Sequence, residues 1–340
     1  MQDALQIGIR QRTNSDSRVF VATIVSCIVA AALFASWMPL TVSIVTVFLF
    51  AGPHNLAELR YFLTRLPARF GKSRNFFITA FAGLGFLTAT YISLPLVHRA
   101  TFWSNEQWLT LIAVWNSLLL GWIGVLVWQR SRQKRGGNWF WFGPVALALG
   151  ALNWFTPDLF SLGLVYAHPL VALWFLDRHL QRNRPNWLST YRRCLILVPV
   201  ILVLMIIQLS STDSLSENNG LFWRITQHSG AELLPNVSSH LLVSVHLFLE
   251  ILHYGVWVVA LTLISKPGKT TKPWDLSSIP LVRHRRGFPK TIAVIMLVAV
   301  AVVTALWFGF SIDYSTTRDI YFTLAIAHVI AEAPFLLRML

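Results

Sequence analysis

Apolar runs of about 17 to 25 residues recur along this chain, each long enough to cross the hydrocarbon core of a bilayer as one helix. About ten are legible, at 19–36, 40–62, 75–96, 107–129, 139–155, 158–177, 194–210, 240–265, 291–311 and 319–338. Between the fifth and sixth, the "NWFTPD" stretch with Pro157 and Asp158 predicts a tight turn rather than one continuous helix. With 55% of its 340 residues hydrophobic and 12% charged, the sequence has too little polar surface to cover a soluble globule of this size. Backbone groups in lipid must be satisfied inside each segment, so the expected fold is all-α. It is a polytopic transmembrane helical bundle forming one integral membrane domain over 1–340.

The formal net charge of +14 would suit a nucleic-acid partner if the cations shared a face, but they are confined to short segments between the apolar runs. Topology accounts for them instead. With the N-terminus in the cytoplasm, all but three of the 28 lysines and arginines fall on the cytoplasmic side, leaving Arg99, Arg224 and Arg318 outside. That alternation predicts an even number of crossings, both termini cytoplasmic, and residence in the cell inner membrane with no nucleic-acid partner. The first 18 residues are polar and lead into a multi-span chain, which predicts no cleavable signal peptide. The basic, proline-rich segment 265–290 reads as an irregular topogenic loop touching anionic head groups. The longest outer segment, 211–239, is polar around an embedded Leu-Phe-Trp, and is expected on the membrane surface or over a cavity. Cys27 and Cys194 have no metal-site spacing and read as small buried hydrophobes.

Ionisable residues inside spans are costly unless partnered or hydrated, and so mark function. The second span holds His54 and Glu58, and the sixth holds His168. The eighth holds His246, Glu250 and His253, and the tenth holds His328 and Glu332. His54, His168, His253 and His328 fall near the middle of four different spans, so their imidazoles can converge if those helices are neighbours. In "HNLAE", "HLFLE" and "HVIAE" a carboxylate follows the histidine one helical turn later, on the same face. Histidines with carboxylates on facing helices are how bundle-core iron and manganese sites are built, and imidazole also suits zinc and copper. The same residues could instead relay protons or serve as hydrogen-bonded packing groups. Glu58 and Glu332 are candidates to orient the imidazoles, or to pair with the nearby Arg60 and Arg338. Pro53, Pro169 and Pro334 stand beside these groups and free carbonyls at that level. No glycine-rich phosphate loop, G-x-S-x-G elbow or H-E-x-x-H occurs.

The "FAGPHNLAE" segment, with Pro53, His54 and Glu58, resembles the first histidine motif of the bacterial Brp/Blh family of membrane-embedded β-carotene 15,15′-dioxygenases. The resemblance spans fewer than ten residues. It departs from the family pattern at Glu58, usually aspartate, at Asn55, commonly glycine, and at His246 with Glu250, where the family has paired histidines. It implies an all-helical bundle, a non-haem iron held by histidines, an iron-ligand role for His54, and oxidative cleavage of a carotenoid by dioxygen.

Taken together, the sequence predicts a histidine-ligated membrane metalloenzyme, an iron-dependent oxygenase or related oxidoreductase on a lipophilic carotenoid- or isoprenoid-like substrate. His54, His168, His253 and His328 are the expected metal ligands, His246 and Glu250 the alternates, and Glu58 and Glu332 their supporting partners. Iron is the expected metal, with zinc and copper as alternatives. The competing class is a proton-coupled transporter or channel using the same His and Glu residues.

Overall fold

The computed structural model describes residues 2–100, 104–134, 139–264, 276–285 and 287–340, with side chains described except at 2–16, 98–100, 262 and 263. Arg135, Arg286 and the first part of the basic loop, 265–275, lie outside the described residues, and the Arg10, Arg12 and Arg99 side chains are likewise not covered.

The described chain is helical, with no strand among the described residues. In order, the helices are α1 (Gln2–Trp37), α2 (Pro39–Arg65), α3 (Arg74–Ala100), α4 (Asn105–Gln133), α5 (Phe142–Phe155), α6 (Pro157–Asn183) and α7 (Pro185–Leu195). There follow α8 (Leu197–Leu209), α9 (Gly220–His228), α10 (Ser239–Tyr254), a π-helical segment (Gly255–Ala260), α11 (Leu261–Ile264), α12 (Pro280–Arg283), α13 (Pro289–Ile312) and α14 (Tyr314–Met339). Local chemistry sets many of these boundaries. Proline opens α2, α6, α7, α12 and α13, where its missing N–H costs nothing and its φ is already helical. Ser104 closes a capping box with Gln107 at the start of α4, and the Asn219 and Asp313 carbonyl or carboxylate oxygens accept from Phe222 N and Thr316 N to cap α9 and α14.

Nine helices among the described residues are long and apolar enough to cross a membrane. The ten-run expectation differs at the fifth. α5 has only 14 residues, about 21 Å of helix against a core of about 30 Å. The turn before Phe142 and the Thr156–Pro157 break confine it, so the tight turn expected at "NWFTPD" is there. Other limits move outward, with α6 running on to Asn183 and α14 starting at Tyr314. α1 reaches back to Gln2, and the seventh candidate span runs Pro185–Leu209 because α7 leads directly into α8. Large apolar side chains such as Leu297 and Ile207 are 69% and 68% exposed, whereas Asn116, Asn153, His54 and Glu58 are buried. Exposed large apolar side chains beside buried polar ones are compatible with a membrane protein.

The chain divides into two compact units, Met1–His54 with Tyr166–Trp274, and Asn55–Val165 with Asp275–Leu340. In the first unit α10 packs on α1 and α8, around a core including Ile28, Ala35, Met205, Leu247 and Phe248. Tyr191 Oη donates to the Leu173 carbonyl at 2.7 Å, and Arg192 grips Asp177 through two bonds of 2.7 and 3.0 Å, tying α7 to α6. In the second unit α3 packs against both α4 and α14, while α5 lies on α4 and α13 on α14. Asn116 Nδ2 donates to Asn153 Oδ1 at 2.9 Å, and Asn153 Nδ2 donates to the Ala113 carbonyl at 2.8 Å, so two buried amides hold α5 to α4.

Candidate metal centre

Three histidines meet inside the first unit. His253 of α10 lies 5.2 Å from His54 of α2 and 4.6 Å from His168 of α6, ring centre to ring centre. His54 and His253 are almost fully buried, and His168 is half-buried. A ring nitrogen of His253 is within 4.8 Å of one on each of the other two. Nitrogens around a tetrahedral ion sit about 3.3 Å apart at bonds of about 2.05 Å, so binding would draw the His253 nitrogen and that of each of the other two together by up to about 1.5 Å.

The orientation of His54 follows from the local backbone. Its Nδ1 lies 2.9 Å from the Phe50 carbonyl one turn earlier. A carbonyl only accepts, so Nδ1 carries the proton and the Nε2 lone pair points elsewhere, the usual arrangement for an imidazole offered to a metal. On its other side the ring packs against Tyr254, with centres 4.3 Å apart. Tyr254 is itself fixed, because Oη donates to Glu250 Oε1 at 2.7 Å one turn back along α10. Glu250, expected as an alternate ligand, is thus engaged with the phenol.

The π-helical segment begins immediately after Tyr254. Segments of this kind insert an extra residue into a helix and commonly accompany functional sites. Here the segment carries Trp257, whose ring lies 6.4 Å from His253 and 5.5 Å from Phe175. The histidines therefore have aromatic walls on the π-helical side.

His246, the other alternate, belongs to a different group in the same unit. Its ring lies 5.1 Å from His228 of α9 and 5.6 Å from Tyr166. Tyr166 Oη in turn lies 2.9 Å from the Ser229 carbonyl and 3.0 Å from that of Leu242, binding α6 to the end of α9 and to α10. The segment expected to lie over a cavity or on the membrane surface thus folds in part into a helix and packs on α10. His240 is used structurally, with Nε2 2.9 Å from the Ser36 carbonyl.

The remaining expected residues are in the second unit. Glu58 on α2, and His328 and Glu332 on α14, are buried or half-buried there, with ligand-capable atoms of Glu58 and His328 within 4.8 Å of one another. Arg338 donates to the Arg65 carbonyl at 3.0 Å and stands over Phe77.

The sequence reading missed Tyr254, Trp257 and His228. Tyr254 carried a usable signal, standing beside His253 and four residues after Glu250. For His228 no local pattern exists, since its position depends on how the 211–239 segment folds back. No family model matches the chain, and no curated protein or solved structure matches it at a significant level.

Proposed function

We propose that this chain is a polytopic inner-membrane protein with both termini cytoplasmic, in which His54, His168 and His253 hold a metal ion. The contact of His253 with both other imidazoles is the observation that carries this reading. Three neutral imidazoles suit iron, zinc or copper and leave coordination positions open for an exogenous oxygen ligand. Iron is favoured by the likeness of the Pro53, His54 and Glu58 segment to the Brp/Blh motif.

The proposed activity is that of an iron-dependent oxygenase or related oxidoreductase on a lipophilic carotenoid- or isoprenoid-like substrate. A bound iron would supply dioxygen activation. The chain's own contributions are to orient His54 through the Phe50 carbonyl and Tyr254, and to set Trp257, backed by Phe175, beside His253 as an apolar wall. Cleaving one carbon–carbon double bond into two carbonyls consumes both atoms of dioxygen and needs no outside electrons. That balance agrees with a sequence lacking any nucleotide-binding motif.

A second reading, a proton-coupled transporter or channel, draws on Glu58, a buried carboxylate whose oxygens have no hydrogen-bond partner among the described residues. Metal analysis of the detergent-purified full-length chain separates the two. The oxygenase reading expects iron in the native protein, reduced by one equivalent in a His54→Ala/His253→Ala variant, and dioxygen-dependent cleavage of a carotenoid that the variant lacks. Native and variant proteins that are equally folded and equal in metal content would overturn it, and proton flux in liposomes would then be the decisive assay.

A further inference from the structure

Where α7 runs into α8, the first unit carries an open cavity of about 480 Å³. Its lining combines Ser189, Arg192 and Arg193 with the apolar Pro185, Leu188 and Ile196. α7 buries Trp187, Tyr191 and Cys194 and exposes Ser189, Arg192 and Arg193. The Arg192 guanidinium is held in place, because Nε and Nη2 donate to the two carboxylate oxygens of the buried Asp177 at 2.7 and 3.0 Å. That pair uses two of the five guanidinium N–H groups and is neutral as a unit, so the lining carries one positive charge, that of Arg193. From Ile196 an apolar stripe continues along α8. Ile196, Val200, Leu204 and Ile207 are 62%, 47%, 57% and 68% exposed and follow one another at helical spacing on one face.

Fixed guanidinium and hydroxyl donors beside a single positive charge suit a monoanionic phosphodiester, which arginine binds by planar, paired hydrogen bonds. The stripe suits an acyl chain laid along α8. We propose, on the membrane reading but independently of the metal centre, that this cavity holds the headgroup of an anionic phospholipid. The phosphate sits against Ser189, Arg192 and Arg193, and an acyl chain follows the stripe from Ile196 to Ile207.

The test is native mass spectrometry of the full-length chain in detergent, delipidated and then titrated with phosphatidylglycerol or with phosphatidylcholine of the same acyl chains. The native chain is expected to retain phosphatidylglycerol in preference to phosphatidylcholine. Arg193→Gln is expected to weaken that retention about fivefold. Ser189→Trp fills the cavity while keeping every charge and is expected to weaken it comparably, whereas Lys72→Gln, which removes a charge from the exposed Lys72 in the second unit, leaves it unchanged. Equal retention of the two lipids by the native chain overturns the proposal. So does Ser189→Trp retaining phosphatidylglycerol as the native chain does, or Lys72→Gln losing as much as Arg193→Gln, which would mean attraction by net charge alone. Each of these outcomes removes the lipid site and leaves the membrane reading standing. A chain that an alkaline carbonate wash releases from membranes would overturn both.

Discussion

His54 shows how little freedom a buried ligand needs to retain. One nitrogen is committed to the Phe50 carbonyl, one face of the ring is covered by Tyr254, and Tyr254 is held in turn by Glu250. Tyr254→Phe keeps the ring against His54 and deletes the hydrogen bond to Glu250. The expected loss of stability is about 1–2 kcal/mol, measured as a lower thermal midpoint in detergent, with metal content retained because the aromatic wall remains. A variant with an unchanged midpoint would contradict the Tyr254–Glu250 bond. At this scale the sequence exposes His54, His168 and His253 clearly, since a histidine in an apolar run demands an explanation. It conceals Tyr254, because a tyrosine there reads as one more aromatic filler.

At the scale of the element, close approach decides which helices can be neighbours. On α3, a Cβ added at Gly83 would fall 1.9 Å from Trp122 Nε1 and 2.2 Å from Cδ1 on α4, inside the ring's own volume. The ring cannot simply swing away, because Nε1–H donates to the Thr79 carbonyl at 3.0 Å. Gly85, two residues on, faces open space. Gly83→Ala is therefore expected to cost about 1–3 kcal/mol by overpacking, while Gly85→Ala is neutral or slightly stabilising through helix propensity. Thermal midpoints of the two variants in one detergent check this, and equal midpoints would contradict the α3–α4 packing. The sequence marks both glycines alike, because nothing local to α3 records where a tryptophan of another helix will lie. The same limit applies to α10. Its periodicity lines up His246, Glu250 and His253 as a stripe, yet His253 meets His54 and His168 while His246 meets His228 and Tyr166.

For the whole molecule, the weight falls on α5. The alternation of Lys and Arg along the sequence predicts an even number of crossings, whereas nine helices among the described residues are long enough to span and α5 is short. If α5 and α6 form a pair that goes out and returns, the turn at Thr156 lies on the outer side and Arg184 on the cytoplasmic side. In a background lacking Cys27 and Cys194, Thr156→Cys is expected to react with a membrane-impermeant maleimide applied to the outer face, and Arg184→Cys to react only after permeabilisation. The reverse pattern would remove the even count and put the two termini on opposite sides. The sequence by itself determined the helical class, most span limits, the proline-set helix starts and the polar residues that apolar helices carry. These follow from hydropathy, from helical periodicity and from the fixed φ of proline, all of which act over a few turns of chain. Only the tertiary structure decided that His253 joins His54 and His168, that Glu250 bonds Tyr254, that His228 reaches His246, and that Glu58 stands beside His328. Those pairings depend on which helix faces interdigitate across tens to hundreds of residues, and no local pattern encodes that choice.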